Sequence, residues 1–318
     1  MSTEFMQAVR FHQFGETNQL VLEQIPQPNQ PGEGEVMIRV HAAGVNPFDS
    51  ALRRGYMQNY FPINLPATPG LDVSGVIAEV GPGVTEYRTG QAVFGLVFGD
   101  MAHGSYAEYA LTSAYAIQPK PHNLDFQQAA SVSHGFRTAW SALFEQAGLQ
   151  PGQRVLIHGG AGGVGLFAVQ IAHYIGAQVV STASSANVDF VRSLGADEVI
   201  DYTNGAFEEQ TRDLDVVFDT VGGDVLTRSW QTLKPGGFLV SALEFPSPEL
   251  AAQHGVRSGM VGMSQNLAFI LQKAAELTAS GAVKPYVRAV FPLSQAAQAA
   301  ALSETRHGRG RIILQVAQ

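Results

Sequence analysis

Gly160, Gly162 and Gly165 stand in the run VLIHGGAGGVG (155–165), a G-x-G-x-x-G series directly behind a short apolar strand. Glycines at those steps let a chain turn tightly and bring backbone N–H groups against a diphosphate at the mouth of a helix. Alone, the series is a weak sign. Here VLIH precedes it, a helix opens at its end, and a second strand, AQVVSTA (177–183), follows, which is the strand–helix–strand setting a dinucleotide site requires. Gly160, Ala161, Gly162, Gly163, Val164 and Gly165 are therefore the expected phosphate cradle. A ribose with a free 2′-hydroxyl is commonly met by an acid ~20 residues past the glycines. This chain reads Ser181-Thr182-Ala183-Ser184-Ser185-Ala186-Asn187 there, with no acid before Asp189. Hydroxyl and amide donors without a repelling carboxylate suit a 2′-phosphate, so the expected cofactor is NADPH.

The elements that must hold this loop are legible in the hydrophobic rhythm. From about residue 126, strands recur at 155–158, 178–182, 197–201, 214–219, 237–242 and 258–262, with helical patterns between them. Val164, Phe167, Ala168, Ile171, Ala172 and Ile175 share one helix face. Alternating strands and helices predict an α/β unit with a doubly wound, six-stranded parallel sheet. Residues 1–125 read differently. Val36, Ile38 and Val40 alternate with Met37, Arg39 and His41, and apolar strands at 70–83, 91–97 and 104–111 are separated by Gly and Pro, which predicts a barrel-like β domain. Residues 47–55 suggest a short helix and 127–146 a longer one. The tail offers a helix closed by Gly281, a strand YVRAVF, a helix SQAAQAAALSE and a final strand RIILQV.

Composition narrows the chemistry. The 318 residues carry 27 acids against 19 bases, a net charge of −8, and no basic block, which argues against a nucleic acid or an anionic membrane as partner. No run of 18 apolar residues exists, and the start MSTEFMQAVRF lacks a signal-peptide pattern, so a cytoplasmic location is expected. There is no cysteine, which removes disulfides, thiolate nucleophiles and sulfur-ligated zinc.

With those residues in view, the chain resembles the zinc-independent quinone oxidoreductase branch of the medium-chain dehydrogenase/reductases, the zeta-crystallin-like group. The resemblance is carried by AAGVNPFD (42–49), PGLDVSGVIAEVG (69–81), GSYAEY (104–109), RVLIHGGAGGVG (154–165), LGADEVIDY (194–202), FDTVGG (218–223), LKPGGFLVS (233–241) and HGRGRIIL (307–314). It implies a GroES-like β-barrel catalytic domain from residues 1–125 and 264–318, and a Rossmann NADPH-binding domain from 126–263. It further implies that Ser184, Ser185, Asn187 and Tyr202 face the adenosine 2′-phosphate or adenine. Thr138, Val221, Ala242 and Leu243 would lie along the nicotinamide half. A homodimer formed by Rossmann-domain edges, with residues 243–265 taking part, is also implied.

Zinc-using members of the wider family carry Cys and a GHE motif, where this chain has Gly70-Leu71-Asp72. His103, His122 and His134 lack ligand-like spacing and read as surface or capping residues, so no metal is expected. Oxidising an alcohol demands removal of a hydroxyl proton, for which bound zinc is one solution. An activated acceptor demands less. A quinone or an α,β-unsaturated carbonyl spreads incoming charge onto oxygen, and the protein need only hold the reactants ~3–3.5 Å apart and aim donors at that oxygen. Asn46 and Tyr56 are the expected donors, Tyr56 being preferred to Tyr60. Asp49 reads as the cap or solvated face of a helical turn, and Arg53 and Arg54 as surface or interface charges. The expected function is NADPH-dependent, metal-free reduction of a quinone or an enone/alkenal double bond; the alternative is a protein that holds NADPH without turnover.

Overall fold

The structure, a computed structural model, describes residues 4–97 and 103–317; residues 1–3, 98–102 and 318 lie outside it. The amino-terminal half builds β1 (Phe5–Arg10), β2 (Val21–Pro26), β3 (Glu35–Val45), α1 (Pro47–Arg53), β4 (Asp72–Val80), β5 (Ala92–Leu96), β6 (Tyr109–Ser113) and β7 (Ile117–Pro119). Strands β1 and β2 pair as a separate antiparallel ribbon. The long β3 is the spine of the larger sheet. It pairs antiparallel with β4 and β6, and β5 joins β4 to β7. Val36, Ile38 and Val40 meet Val73, Ile77 and Ile117 in the interior, as the period-2 pattern requires. Of the stretch 104–111 only the end is strand; residues 104–106 and 108 spend their amides on Thr68, Gly70, Pro69 and Gln7 instead.

The second half builds α2 (Phe126–Ala130), α3 (Ser133–Trp140), β8 (Arg154–Ile157), α4 (Gly165–Tyr174), β9 (Gln178–Ala183), α5 (Val188–Ser193), β10 (Glu198–Asp201), β11 (Leu214–Asp219), α6 (Asp224–Ser229), β12 (Leu233–Ser241), α7 (Pro248–His254) and β13 (Arg257–Met260). These six strands form one parallel sheet in the order β10-β9-β8-β11-β12-β13. The order reverses between β8 and β11, and in such sheets ligands bind beyond the strand C-termini at that reversal. The helix expected over 127–146 is broken: α2 ends at Ala130, α3 starts at Ser133, and a π-helical turn covers Ser141–Gln146.

Helix α4 departs from the one-faced expectation. All of Gly165–Ala172 is buried, including Leu166, Val169 and Gln170 on the supposed outer side. The cover is the returning tail: Gln170 accepts from the Lys284 amide and donates to its carbonyl. The tail continues as α8 (Leu267–Ala279), β14 (Val287–Pro292), α9 (Ala296–Glu304) and β15 (Arg311–Gln315). Strand β15 inserts between β14 and β3, closing the sheet of the first half with the last residues of the chain. Helix α8 serves both halves. Its Ile270, Ala274 and Leu277 join the core around the parallel sheet, while Leu267 and Leu271 pack on Leu71 and Leu96. No helix among the described residues is long and apolar enough to cross a membrane.

Candidate active site

The sequence-predicted cofactor residues converge on one rim. Strand β8 ends into 158–165, β9 into Ser184–Asn187, β10 into Tyr202, β11 into Val221 and β12 into Ala242 and Leu243, all at the C-terminal edge of the parallel sheet. Asp219, fully buried at the end of β11, organises part of this rim. It accepts from the amides of Val221 and Gly222 and from the Ser241 hydroxyl, while its own carbonyl takes the Ala242 amide. Val221 and Leu243 are left well exposed beside it. Thr138 lies buried on α3, donating to the His134 carbonyl.

The glycines of the loop do different work. A Cβ on Gly160 would stand 2.2 Å from the Ser181 Oγ, and one on Gly165 2.2 Å from the Gly159 carbonyl oxygen. Those two glycines are required by packing alone. On Gly162 the only neighbour would be the Gly159 oxygen at 3.2 Å, so its open side is a cradle that a side chain would fill. This concavity, at the N-terminus of the ten-residue α4, fits a diphosphate. The first amide of the loop is set from below. His158 is fully buried, with Nδ1 3.2 Å from the Thr182 Oγ1 and Nε2 2.9 Å from the Ser229 Oγ. Thr182 Oγ1 takes the Gly159 N–H and Ser229 gives its proton to the Val225 carbonyl, so we assign the Nε2–H tautomer. Burial, with Arg228 nearby, drives the imidazole pKa down to about 3, and the ring is neutral across the working range.

Beyond the end of β9, Asn187 donates to the Ser184 Oγ. The Ser185 hydroxyl donates to Asp201 at 2.6 Å, a carboxylate that the next strand supplies and that Thr203 and Asn204 also hold. Those hydrogen bonds, led by Ser185, keep the Asp201 carboxyl below the usual range. Searching β9 alone for an acid misses this residue; reading the end of the neighbouring strand, VIDY, finds it.

The barrel side of the cleft centres on Asp72. Wholly buried, it accepts from the Arg311 Nη2 at 2.5 Å, the Asn46 Nδ2 at 2.9 Å and the His134 backbone N–H at 2.6 Å. Burial pushes its pKa up; Arg311 and the two hydrogen bonds oppose that push. Asn46, expected to face the cleft, is fully buried, and its Oδ1 accepts from Arg311 at 2.8 Å. Tyr56 stands apart, 70% exposed on the turn after α1. Arg311 is not singled out by spacing. Its signal lies in HGRGRIIL: Gly310 sits at φ +80° with its Cα against the Tyr286 carbonyl, and the Gly310 amide donates to the Ala161 carbonyl of the glycine loop. The next side chain then lies against Gly163, where a Cβ would be 3.0 Å from the Arg311 Cδ.

Three sequence expectations need correction. Asp49 is a cap, accepting the Asn46 amide at 2.8 Å, yet it is buried rather than solvated, and Tyr106 donates to the same oxygen. Arg53 is no surface charge; it is 1% exposed, paired with Glu304 and bonded to the Gly15 carbonyl, because α1 packs beside α9. His134 is neither a surface residue nor a side-chain cap: its Nδ1 is buried without a partner, and burial holds its pKa well below the ordinary value.

The contrast between the glycines is testable. Gly162→Val should leave the melting temperature near that of the unsubstituted chain while weakening binding of nicotinamide dinucleotides more than ~10-fold, the ~1.4 kcal/mol scale of one lost contact set. Gly165→Ala should instead cost ~1–3 kcal/mol of stability by overpacking. Calorimetry with ligand titration reads both; equal melting losses in the two variants would refute the distinction. Burial raises the Asp49 pKa to about 7 from 3.8. A folded-state pKa above the unfolded one gives stability that is complete below 3.8 and is lost as pH rises through about 7. Asp49→Asn should remove that loss, on the order of 4 kcal/mol between pH 4 and 8. Denaturant titrations of both proteins at the two pH values check it, and a constant difference would count against a neutral Asp49.

Comparison with known proteins agrees with this architecture. Residues 32–122 match the alcohol dehydrogenase GroES-like domain family, and residues 194–314 match the zinc-binding dehydrogenase family. Quinone oxidoreductase from Rattus norvegicus is 33% identical, the match covering 93% of each chain. The NADPH-dependent alkenal/one oxidoreductase of Arabidopsis thaliana chloroplasts is 34% identical over 97% of this chain and 79% of its own. The solved quinone oxidoreductase from Coxiella burnetii superposes with a TM-score of 0.90 at 34% identity, covering 99% of this chain and all of that one. A fold shared nearly end to end with quinone oxidoreductases makes this chain an oxidoreductase of the quinone oxidoreductase-like branch of the medium-chain dehydrogenase/reductases.

Proposed function

We propose that the protein is an NADPH-dependent, metal-free reductase of a quinone or an α,β-unsaturated carbonyl. The observation that carries this reading is the occupancy of Asp72. It ends Gly70-Leu71-Asp72, the stretch that corresponds to the zinc-using GHE motif, and both its oxygens are already bound by Arg311, Asn46 and the His134 amide. The chain has no cysteine, and no trio of His, Asp or Glu capable of holding a metal occurs among the described residues. A pocket built this way binds and orients rather than ionises an alcohol.

NADPH, when bound, supplies hydride. Gly160–Gly165 and the start of α4 are the residues to hold its diphosphate, and Arg311, lying against Gly163, adds a positive charge there. Ser184, Asn187 and Tyr202 fit the 2′-phosphate end, where β9 itself presents no carboxylate and Asp201 is engaged by three side-chain donors. Thr138, Val221, Ala242 and Leu243 are the nicotinamide side. Tyr56, on an exposed turn, is the donor free to reach an acceptor oxygen. Asn46, enclosed and bonded at both ends, is a positioning residue for Asp72 and Arg311. We divide the chain into a catalytic part, 1–125 and 264–318, and a cofactor part, 126–263, with α8 spanning the seam.

A homodimer is supported by β13, a four-residue strand at the open edge of the parallel sheet. Ser258→Pro should convert the dimer to monomer in sedimentation velocity; an unsubstituted chain that sediments as a monomer would refute the pairing. For the activity, the purified protein should oxidise NADPH with 9,10-phenanthrenequinone or a 2-alkenal, favour NADPH over NADH at least ~10-fold in kcat/KM, and keep its rate in the presence of a zinc chelator. Turnover of a primary alcohol with NAD⁺ that the chelator abolishes would overturn the reading.

A further inference from the structure

Two arginines, Arg53 and Arg311, are buried with carboxylate partners, and a third, Arg137, is partly buried with its Nε enclosed. Arg53 is held by Glu304, and Arg311 by Asp72. Arg137, in the last turn of α3, has none among the described residues. Its Nη1 donates to the Gly262 carbonyl at 3.2 Å and its Nη2 to the Thr138 Oγ1 at 3.4 Å, both long, and its Nε is buried with no partner at all. Burying a cation without a counter-charge is costly, so such a group is stable mainly where something supplies the charge. The two nearest carboxylates are committed elsewhere: Asp72 to Arg311, and Glu145 to the Ser264 hydroxyl at 2.7 Å.

Arg137 also lines a half-open cavity of about 510 Å³, whose other walls include Tyr115, Met263, Gln265, Asn266 and Phe269. Tyr115, Met263 and Phe269 leave large apolar surfaces open there, each about half exposed. At the far end the 13-residue α8 begins, with no acid in its first turn and no side chain capping its amides. A positive helix terminus faces the same space as the unpartnered guanidinium. The walls are largely apolar and aromatic, and the polar groups beyond the cation are the Gln265 and Asn266 amides, the Tyr115 hydroxyl and Ser264, whose hydroxyl is bonded to Glu145. Such a cavity is shaped for an amphiphilic anion.

We propose that this cavity is a subsite for a carboxylate borne on a flat apolar body, with Arg137 pairing to the carboxylate and Tyr115 and Phe269 flanking the body. In calling that ligand an acceptor, the inference rests on the reductase reading; as a binding site it stands by itself. Thr138, adjacent to Arg137 and hydrogen-bonded by it, joins the cavity to the nicotinamide side of the cleft. Acceptors of the favoured class are therefore quinones or enones that carry a carboxylate remote from the reacting carbon.

The test uses the full chain saturated with NADPH and two probes of one shape, 2-naphthoate and the neutral 2-naphthamide, in titration calorimetry. The expected result is at least ~10-fold tighter binding of the naphthoate, the scale of one charge-assisted pair. Arg137→Gln should erase the preference, and Arg137→Lys should keep part of it. Should the glutamine variant not fold, Asn266→Asp, which puts a carboxylate at the cavity, should lower naphthoate affinity at least ~10-fold by like-charge repulsion. Equal affinity for the two probes in the unsubstituted chain, or a preference that survives Arg137→Gln, overturns the subsite. NADPH oxidation with neutral 9,10-phenanthrenequinone is measured in parallel. Its absence refutes the reductase reading, while the binding preference measured by calorimetry still decides whether the cavity takes a carboxylate.

Discussion

The buried pair between Asp72 and Arg311 is the constraint on which the rest of the cleft depends. Asp72 begins β4 in the sheet of the first half, and Arg311 begins β15, the last strand of the chain. Their contact at 2.5 Å is made beside the glycine loop, not in the middle of either sheet. A buried ion pair yields little net stability against an apolar substitute, but losing one partner is expensive because the other charge is stranded. The pair therefore specifies position more than it adds stability. It fixes the start of β15, whose Gly310 amide holds the Ala161 carbonyl, and through Asn46 it fixes the turn into α1. The glycine loop and the turn into α1 are thus held by one charge network.

That network explains why the final strand returns to the first half. Strand β15 must reach β3 to complete the antiparallel sheet, pairing Ile312 with Val45 and Leu314 with Ala43. On its way the tail covers the outer side of α4 and supplies Gln170 with backbone partners at Lys284. A helix that would be amphipathic in an isolated α/β unit is consequently buried all round, and its sequence, GLFAVQIAHY, has too few polar residues for a solvated face. Helix α8 has the same double allegiance. These shared elements tie the two sheets together, because parting the halves would expose α8 residues packed in both cores.

What was legible in the sequence was whatever depends on local rhythm. The six parallel strands appear within a few residues of their expected places because alternation with helices and apolar runs of four to six residues are local signals. The doubly wound order follows from chain connectivity rules. What escaped was pairing across distance. Arg53 looked like a solvated charge because its partner, Glu304, lies 251 positions away. Asn46 looked like a cleft donor because its partners, Asp72 and Arg311, come from two other strands. Asp201 was invisible as a neighbour of Ser185 because β10 and β9 meet only in the folded sheet. The glycines divide along the same line: all looked alike as a motif, and only the packed structure separates Gly160 and Gly165, hemmed in by Ser181 and Gly159, from the open Gly162.

Two kinds of polar burial meet at this cleft, and they imply different chemistry. His158, Asp219 and Asp72 are saturated with hydrogen bonds inside the protein and have nothing left to offer a ligand; they hold backbone amides and strands at fixed heights. What His158, Asp219 and Asp72 contribute is geometric: they fix the backbone on which the placement of any bound reactant depends. Other buried groups are not spent in this way: Asp49 keeps its Oδ1 and His134 its Nδ1 without a partner. The Arg137 Nε, Thr211 Oγ1 and Arg311 Nε are unmet as well, so unmet polar demand is spread over both halves of the chain.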